Sequence, residues 1–168
     1  RHEFFTDLPI RRNVDAVFVA SFAIDPHEVE QLQRIHVPII GINTPSSEGF
    51  DATISIDDEK GMYTAAQHLI NLGHKHIVYP CSEAAGLDSS IDARAQGFIN
   101  ACKDAEGKHD INWEVLSVPR GPAFADSALS ALLAMDEFPD AICCQMDMMA
   151  IPLVLKLERY GHRTPRDY

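Results

Sequence analysis

The feature that most constrains this chain is a repeated switch of hydrophobic period. Short β-branched or apolar runs alternate with stretches whose apolar residues recur every three or four positions. Val14–Ala20 (VDAVFVA), Pro38–Ile42 (PIIGI), Thr53–Ile56 (TISI), Ile77–Pro80 (IVYP), Trp113–Val118 and Ala141–Cys144 read as strands. Between them lie helical stretches at Pro26–Ile35, Gly61–Leu72, Ile91–Ala105, Ala125–Met135 and Met149–Tyr160. The clearest is Gly61–Leu72, where Met62, Ala65, Ala66, Leu69 and Ile70 share one stripe and Gly73 follows the end. Strands separated by helices of this length need parallel β-α-β crossovers, right-handed, with helices on both faces of the sheet. The expected class is therefore α/β.

Composition limits what such a fold can do. The 168 residues are 46% hydrophobic and 23% charged, the mix of a globular domain able to bury about 70% of its unfolded surface. Against 25 Asp and Glu stand only 14 Lys and Arg, a formal net charge of -11. That field repels polyanions, so direct contact with nucleic acid or an anionic membrane is not expected of this segment. No apolar run reaches the length of a membrane span, and the N-terminus does not read as a signal peptide. The four cysteines, Cys81, Cys102, Cys143 and Cys144, lack the two-residue gap of a zinc knuckle or redox pair and read as buried thiols, which suit a reducing cytoplasm.

In an open parallel sheet, ligands sit at the carboxyl ends of the strands. Those ends carry Ser21, then Asn43 and Thr44, then Asp57 and Asp58, then Cys81 and Ser82. Arg120 and, further on, Phe124 follow the fifth strand; Gln145, Met146 and Asp147 follow the sixth. The helix after the fourth strand opens with Ser89 and Ser90 and places Arg94 one turn in. Hydroxyls, carboxylates, an amide, two arginines and a nearby aromatic suit a polar, hydroxyl-rich small molecule. Each residue also has a plainer reading. Ser90, Asp147 and the Asp57-Asp58 pair fit helix N-caps, Arg94 an exposed helix position, and Phe124 the core.

Enzyme templates fit poorly. GxGxxG, GxxxxGK[ST] and GxSxG are all missing from the sequence. His68, His74 and His76 suggest a metal, but Gly73 interrupts the helix between the first two and no HxxxH pattern with a nearby carboxylate occurs. No metal, no cofactor and no catalysis are expected.

Five segments, in order, follow the pattern of one known protein family. Val14-Asp15-Ala16-Val17 resembles its "V-D-G-I" strand. Asp57-Asp58-Glu59-Lys60-Gly61 through His68-Leu69 and Gly73-His74-Lys75-His76-Ile77 is similar to "D-N-x-x-G … H-L-x-x-x-G-H-x-x-I". Ser90 to Phe98 resembles "S/T-x-x-x-R-x-x-G-F/W". Pro139-Asp140-Ala141-Ile142 with Asp147-Met148-Met149-Ala150 is similar to "P-T-A-I … N-D-x-M-A", and Gly161 to Asp167 to "G-x-x-I/V-P-x-D".

Together these five segments resemble the lactose/galactose-repressor (LacI/GalR) family of transcriptional regulators, and the resemblance implies a periplasmic-binding-protein-like effector domain of type I: two parallel-sheet lobes flanking a cleft that takes a sugar, nucleoside or organic acid. It puts a partial N-terminal lobe at residues 1–72 and the C-terminal lobe at 73–168, with the family's helix-turn-helix DNA-binding domain outside this chain. It implies a cytoplasmic repressor, dimeric, whose effector controls operator binding allosterically. A solute-binding protein of a transporter shares the fold, and a small α/β enzyme built on Asp57, Asp58 or His74 is a more distant reading.

Residue by residue, the resemblance makes Arg94 the donor to ligand hydroxyls or carboxylates and Ser90 its neighbour on the same helix face. Asp147 matches the aspartate of "N-D", while Met146 stands where that pattern has asparagine. The loop after Val118 carries a stacking aromatic in the family; here either Phe124 stacks or Arg120 takes the place, the latter favouring an anionic ligand. Ser21 and Asp58 complete the rim.

Overall fold

The computed structural model describes residues 14–20, 24–44, 46–82, 89–119 and 121–168, with the backbone alone at 89–92. By its contacts the chain forms two compact units, Arg1–Ile56 and Asp57–Tyr168.

In the first unit, β1 (Val17–Ala20), α1 (Pro26–Gln33), β2 (Ile39–Ile42) and β3 (Ala52–Ile54) follow in order. The sheet runs β1-β2-β3, all parallel, with Val17 opposite Ile39 and Ile40 opposite Ala52. α1 starts where it does because Asp25 and Glu28 form a capping box: the Glu28 amide donates to Asp25 Oδ1 at 2.9 Å and the Asp25 amide to Glu28 Oε2 at 3.2 Å. Pro26 supplies a preset first-turn φ. Val29 and Leu32 turn inward, and Leu32 joins Val19, Ile35 and Ile39 in one cluster. The turn between β2 and β3 is held by side chains. The Ile39 amide donates to Asp51 Oδ2 at 2.8 Å, and the Ile56 amide to Asn43 Oδ1 at 3.1 Å. Ile56 is thus taken by Asn43 beyond the strand, so β3 is shorter than its sequence pattern suggests.

The second unit contains α2 (Asp58–Asn71), β4 (His76–Ser82), α3 (Ser89–Ala105), β5 (Asn112–Val118), α4 (Phe124–Leu133), β6 (Ala141–Ile142) and α5 (Asp147–Arg159). The sheet order is β5-β4-β6, parallel throughout. Successive residues of the central strand point to opposite faces. Ile77 and Tyr79 enter a cluster with Met62, Ala66 and Ile70 of α2 and Phe98, Ala101 and Cys102 of α3. Val78 enters another with Phe124, Ala128, Leu129 and Leu132 of α4 and Leu153 and Leu157 of α5. Helices cover both faces, and that burial explains why β4 reads as a continuous apolar run. Tyr79 stacks on Phe98 with centroids 4.8 Å apart, and Trp113 meets Phe98 edge-on.

The sequence expectation ended the first lobe at Leu72. The contacts group α2 with the second unit instead. The cause is its seam with α3. Gly97 faces the α2 backbone so closely that a Cβ there would overlap the Glu59 carbonyl oxygen. Across the same seam, the Asn100 amide donates to Glu59 Oε1 at 2.9 Å and the Tyr63 hydroxyl to Asp104 Oδ2 at 2.9 Å.

Candidate functional site

Asp57 and Asp58 have separate tasks. Asp57 is the N-cap of α2, its Oδ1 accepting the Lys60 amide at 2.9 Å. Asp58 opens the helix, where a negative charge suits the helix dipole, and its carboxylate turns to α3. There Arg94 Nε donates to Asp58 Oδ1 at 2.8 Å. The same guanidinium reaches the turn between β6 and α5, where Nη1 donates to the Gln145 carbonyl at 3.1 Å. The Arg94 and Asp58 side chains keep 24% and 16% of their surface exposed, so the pair is shielded yet reachable. Among the described residues Nη2 has no hydrogen-bond partner. One polar cluster thus gathers a helix start, a helix interior and a strand end from across the second unit.

Gln145 anchors this cluster. It is 4% exposed, and its Oε1 faces the end of β4, with the Ser82 amide at 3.5 Å and the Ser82 hydroxyl at 3.4 Å. Among the described residues, Gln145 Nε2 and the Tyr79 hydroxyl are buried without a protein hydrogen-bond partner. Burial drives the Tyr79 phenol well above its ordinary value; the Cys143 and Cys81 thiols push the same way, and Arg94 opposes them. The sequence placed Gln145 on the rim but gave it no role; its backbone carbonyl, which any residue would supply, carries no sequence signal.

The other expected residues distribute as follows. Ser90 lies on α3 one turn before Arg94, its side chain outside the described residues. Ser21 and Arg120 also lie outside them. Met146 is the N-cap of α5, with no side-chain capping bond, and Asp147 is its exposed first residue. Asp147 therefore complements the helix dipole and does not cap. The stacking role considered for Phe124 is corrected: its ring is 4% exposed and packs with Val78, Val118 and Leu132. As first residue of α4 it begins that helix's inward apolar stripe, so no ring face is open to a ligand.

Of the three histidines, His74 has a side-chain partner, whereas among the described residues His76 Nδ1 is buried without one. His74 Nδ1 lies 3.6 Å from Asp140 Oδ1, and the Asp140 carboxylate accepts the Lys75 and His76 amides at the start of β4. Among the described residues no group of three His, Cys, Asp or Glu is placed to hold a metal ion. Cys81, Cys102, Cys143 and Cys144 form no disulfide. Burial raises the Cys102, Cys143 and Cys144 thiols to about 12, about 11 and about 12, which leaves them poor nucleophiles. No helix among the described residues is long and apolar enough to cross a membrane.

Known proteins bear the same stamp. Residues 66–168 match the family model described as a periplasmic binding protein-like domain. The HTH-type transcriptional repressor PurR of Photobacterium profundum is 29% identical over 160 residues, covering 93% of this chain and 46% of the relative. PurR of Aliivibrio fischeri is 33% identical over 125 residues, or 73% of this chain and 36% of the relative. The chain thus spans less than half the length of these curated relatives. A LacI family transcriptional regulator from Enterococcus faecium, solved with bound ribose, superposes with a TM-score of 0.78 at 28% identity, over 99% of this chain and 60% of that one. A second, from Enterococcus faecalis and also with bound ribose, gives 0.73 at 25% identity over 99% and 58%.

Proposed function

From a chain that belongs to the periplasmic binding protein-like domain family, among the effector-binding domains of LacI-type regulators, we propose a sensor that binds a small polar metabolite through Arg94 and passes its occupancy to DNA binding elsewhere in the protein. The observation that carries this reading is the meeting of Arg94, Asp58 and the Gln145 carbonyl at the carboxyl end of a parallel sheet. Fixed donors there grip hydroxyl or carbonyl oxygens without reorganising on binding. Ribose in two neighbours makes a sugar the first effector to try.

The sensor reading works by differential affinity: a ligand held more tightly by one arrangement of the domain shifts the population toward it. Operator DNA would be read by a helix-turn-helix domain, since this acidic segment repels a polyanion. The named relatives are repressors, which favours regulation in the cytoplasm over solute delivery or catalysis. The exposed face of α5 favours a homodimer. Met148, Ile151 and Leu155 stand 83%, 60% and 55% exposed on one side of the helix, an apolar stripe that a second copy would cover.

Calorimetric titration of the intact protein with D-ribose and a panel of sugars and nucleosides tests the sensor reading. A saturable heat that weakens in Arg94→Ala supports it. Titrations that stay flat across the panel, or an affinity untouched by Arg94→Ala, defeat it.

A further inference from the structure

We infer that Asp58 is a specificity residue: by neutralising Arg94 it tunes the site to uncharged, oxygen-rich ligands and against carboxylates and phosphates. The inference rests on the effector reading above and names the ligand class for the same site.

An arginine in a polar pocket ordinarily invites an anion, because its planar fork pairs with a carboxylate or phosphate. Here an internal carboxylate holds part of that fork, at 2.8 Å from Nε. The backbone carbonyl of Gln145 takes a donor on Nη1. What remains toward a ligand is hydrogen-bonding capacity with little net charge. A hydroxyl or carbonyl oxygen can use those donors at no electrostatic cost. An anion on the same donors would sit within a few ångströms of Asp58, where like charges repel strongly in a partly desolvated site. At 24% and 16% exposure, neither side chain has enough water to screen that repulsion fully.

Two further observations point the same way. The chain's net charge of -11 adds a field unfavourable to anions. The seam between α2 and α3, closed on Gly97, fixes the helices that carry the two side chains, so Asp58 cannot swing away with its helix when a ligand arrives.

The test follows the Arg94 Nε–H resonance in ¹⁵N-arginine-labelled intact protein, assigned by its loss in Arg94→Lys. D-ribose and its acid, D-ribonate, form one probe pair; acetamide and acetate form a second, at matched ionic strength. In the wild type each neutral member should shift the resonance about tenfold more tightly than its anion. In Asp58→Asn, which keeps an oxygen for Arg94 Nε, the gap should close by about tenfold through tighter anion binding. Ribonate or acetate binding the wild type as well as its neutral partner overturns the inference, as does an unchanged ratio in Asp58→Asn. If neither sugar moves the resonance, a sugar effector is refuted, and the acetamide–acetate ratio in wild type and variant still decides the role of Asp58.

Discussion

Arg94 Nε and Asp58 Oδ1 lie 2.8 Å apart although 36 residues separate them in the chain. The bond fastens the first turn of α2 to the second turn of α3 and settles the guanidinium beside the turn that follows β6. Structure and proposed function meet in this pair, because the group offered to the ligand is also the group that ties two helices together.

Removing the arginine should therefore register twice. Arg94→Ala leaves Asp58 and the Gln145 carbonyl without their partner. Part of the pair is open to solvent, so the expected loss of stability is about 1 kcal/mol, read from urea unfolding. Effector affinity should fall about tenfold or more in calorimetry. A stability loss with unchanged affinity would reduce Arg94 to a structural tie.

Gly97→Ala is expected to be costly despite its size. The added methyl meets the Glu59 backbone, which has no rotamer to change, so α2 and α3 must part. A loss of about 2–3 kcal/mol follows from overpacking of this kind. Equal urea midpoints for wild type and variant would mean the helices yield easily.

Phe124 separates a core role from a binding role. Phe124→Ala opens a cavity among Val78, Val118, Ala128 and Leu132 and should cost about 3–4 kcal/mol. Phe124→Leu keeps most of the volume and should leave effector affinity as it was. A selective affinity loss in the leucine variant would return the ring to the ligand site.

The exposed stripe of α5 should behave in the opposite way. Ile151→Asp alters a side chain 60% exposed, so the subunit's own fold should change by less than about 0.5 kcal/mol. If a second copy covers this face, sedimentation should show a dimer for the intact protein and a shift to monomer in the variant. A dimer that persists at the same concentration range puts the interface elsewhere.

Alkaline pH should loosen the second unit. The buried thiols of Cys102 and Cys143 and the half-buried thiol of Cys144 ionise near 12, 11 and 12 in the folded chain, against 9.0 for an unperturbed thiol. Folded-state values raised in this way stabilise fully below about pH 9, and that contribution drains away as pH climbs toward 11–12. Thermal melts should fall across that window. The same protection predicts slow alkylation of these three thiols near neutrality, accelerating only in denaturant.

Much of this architecture is written in local pattern. The stripe Met62, Ala66 and Ile70 marks α2 because core-facing residues recur once per turn, and all three are buried. Its start is misread by three residues and its end by one: the pattern runs Gly61–Leu72, whereas the Asp57 cap starts the helix at Asp58 and it ends at Asn71. The strands are legible because β4 is apolar on both faces. Arg94 could be picked out only through the "R-x-x-G-F" resemblance, since nothing in its own helix distinguishes it from a solvated residue. Asp58 and Gln145 stood on the expected rim, but their pairing with Arg94 was not legible. Asp58 is too far along the chain, and Gln145 contributes a carbonyl common to every residue. Phe124 shows the reverse limit: a rim position by sequence order became core because the turn at 121–123 aims α4 inward.

Gly97 has a last consequence. With only a hydrogen between them, α2 and α3 share no slack, so a tug on the Arg94 guanidinium is delivered to both helices together. Neither can creep along the other to absorb it. A small molecule seated here, as proposed, would act on both helices at once, because the contact at Gly97 leaves no room for an added methyl between them.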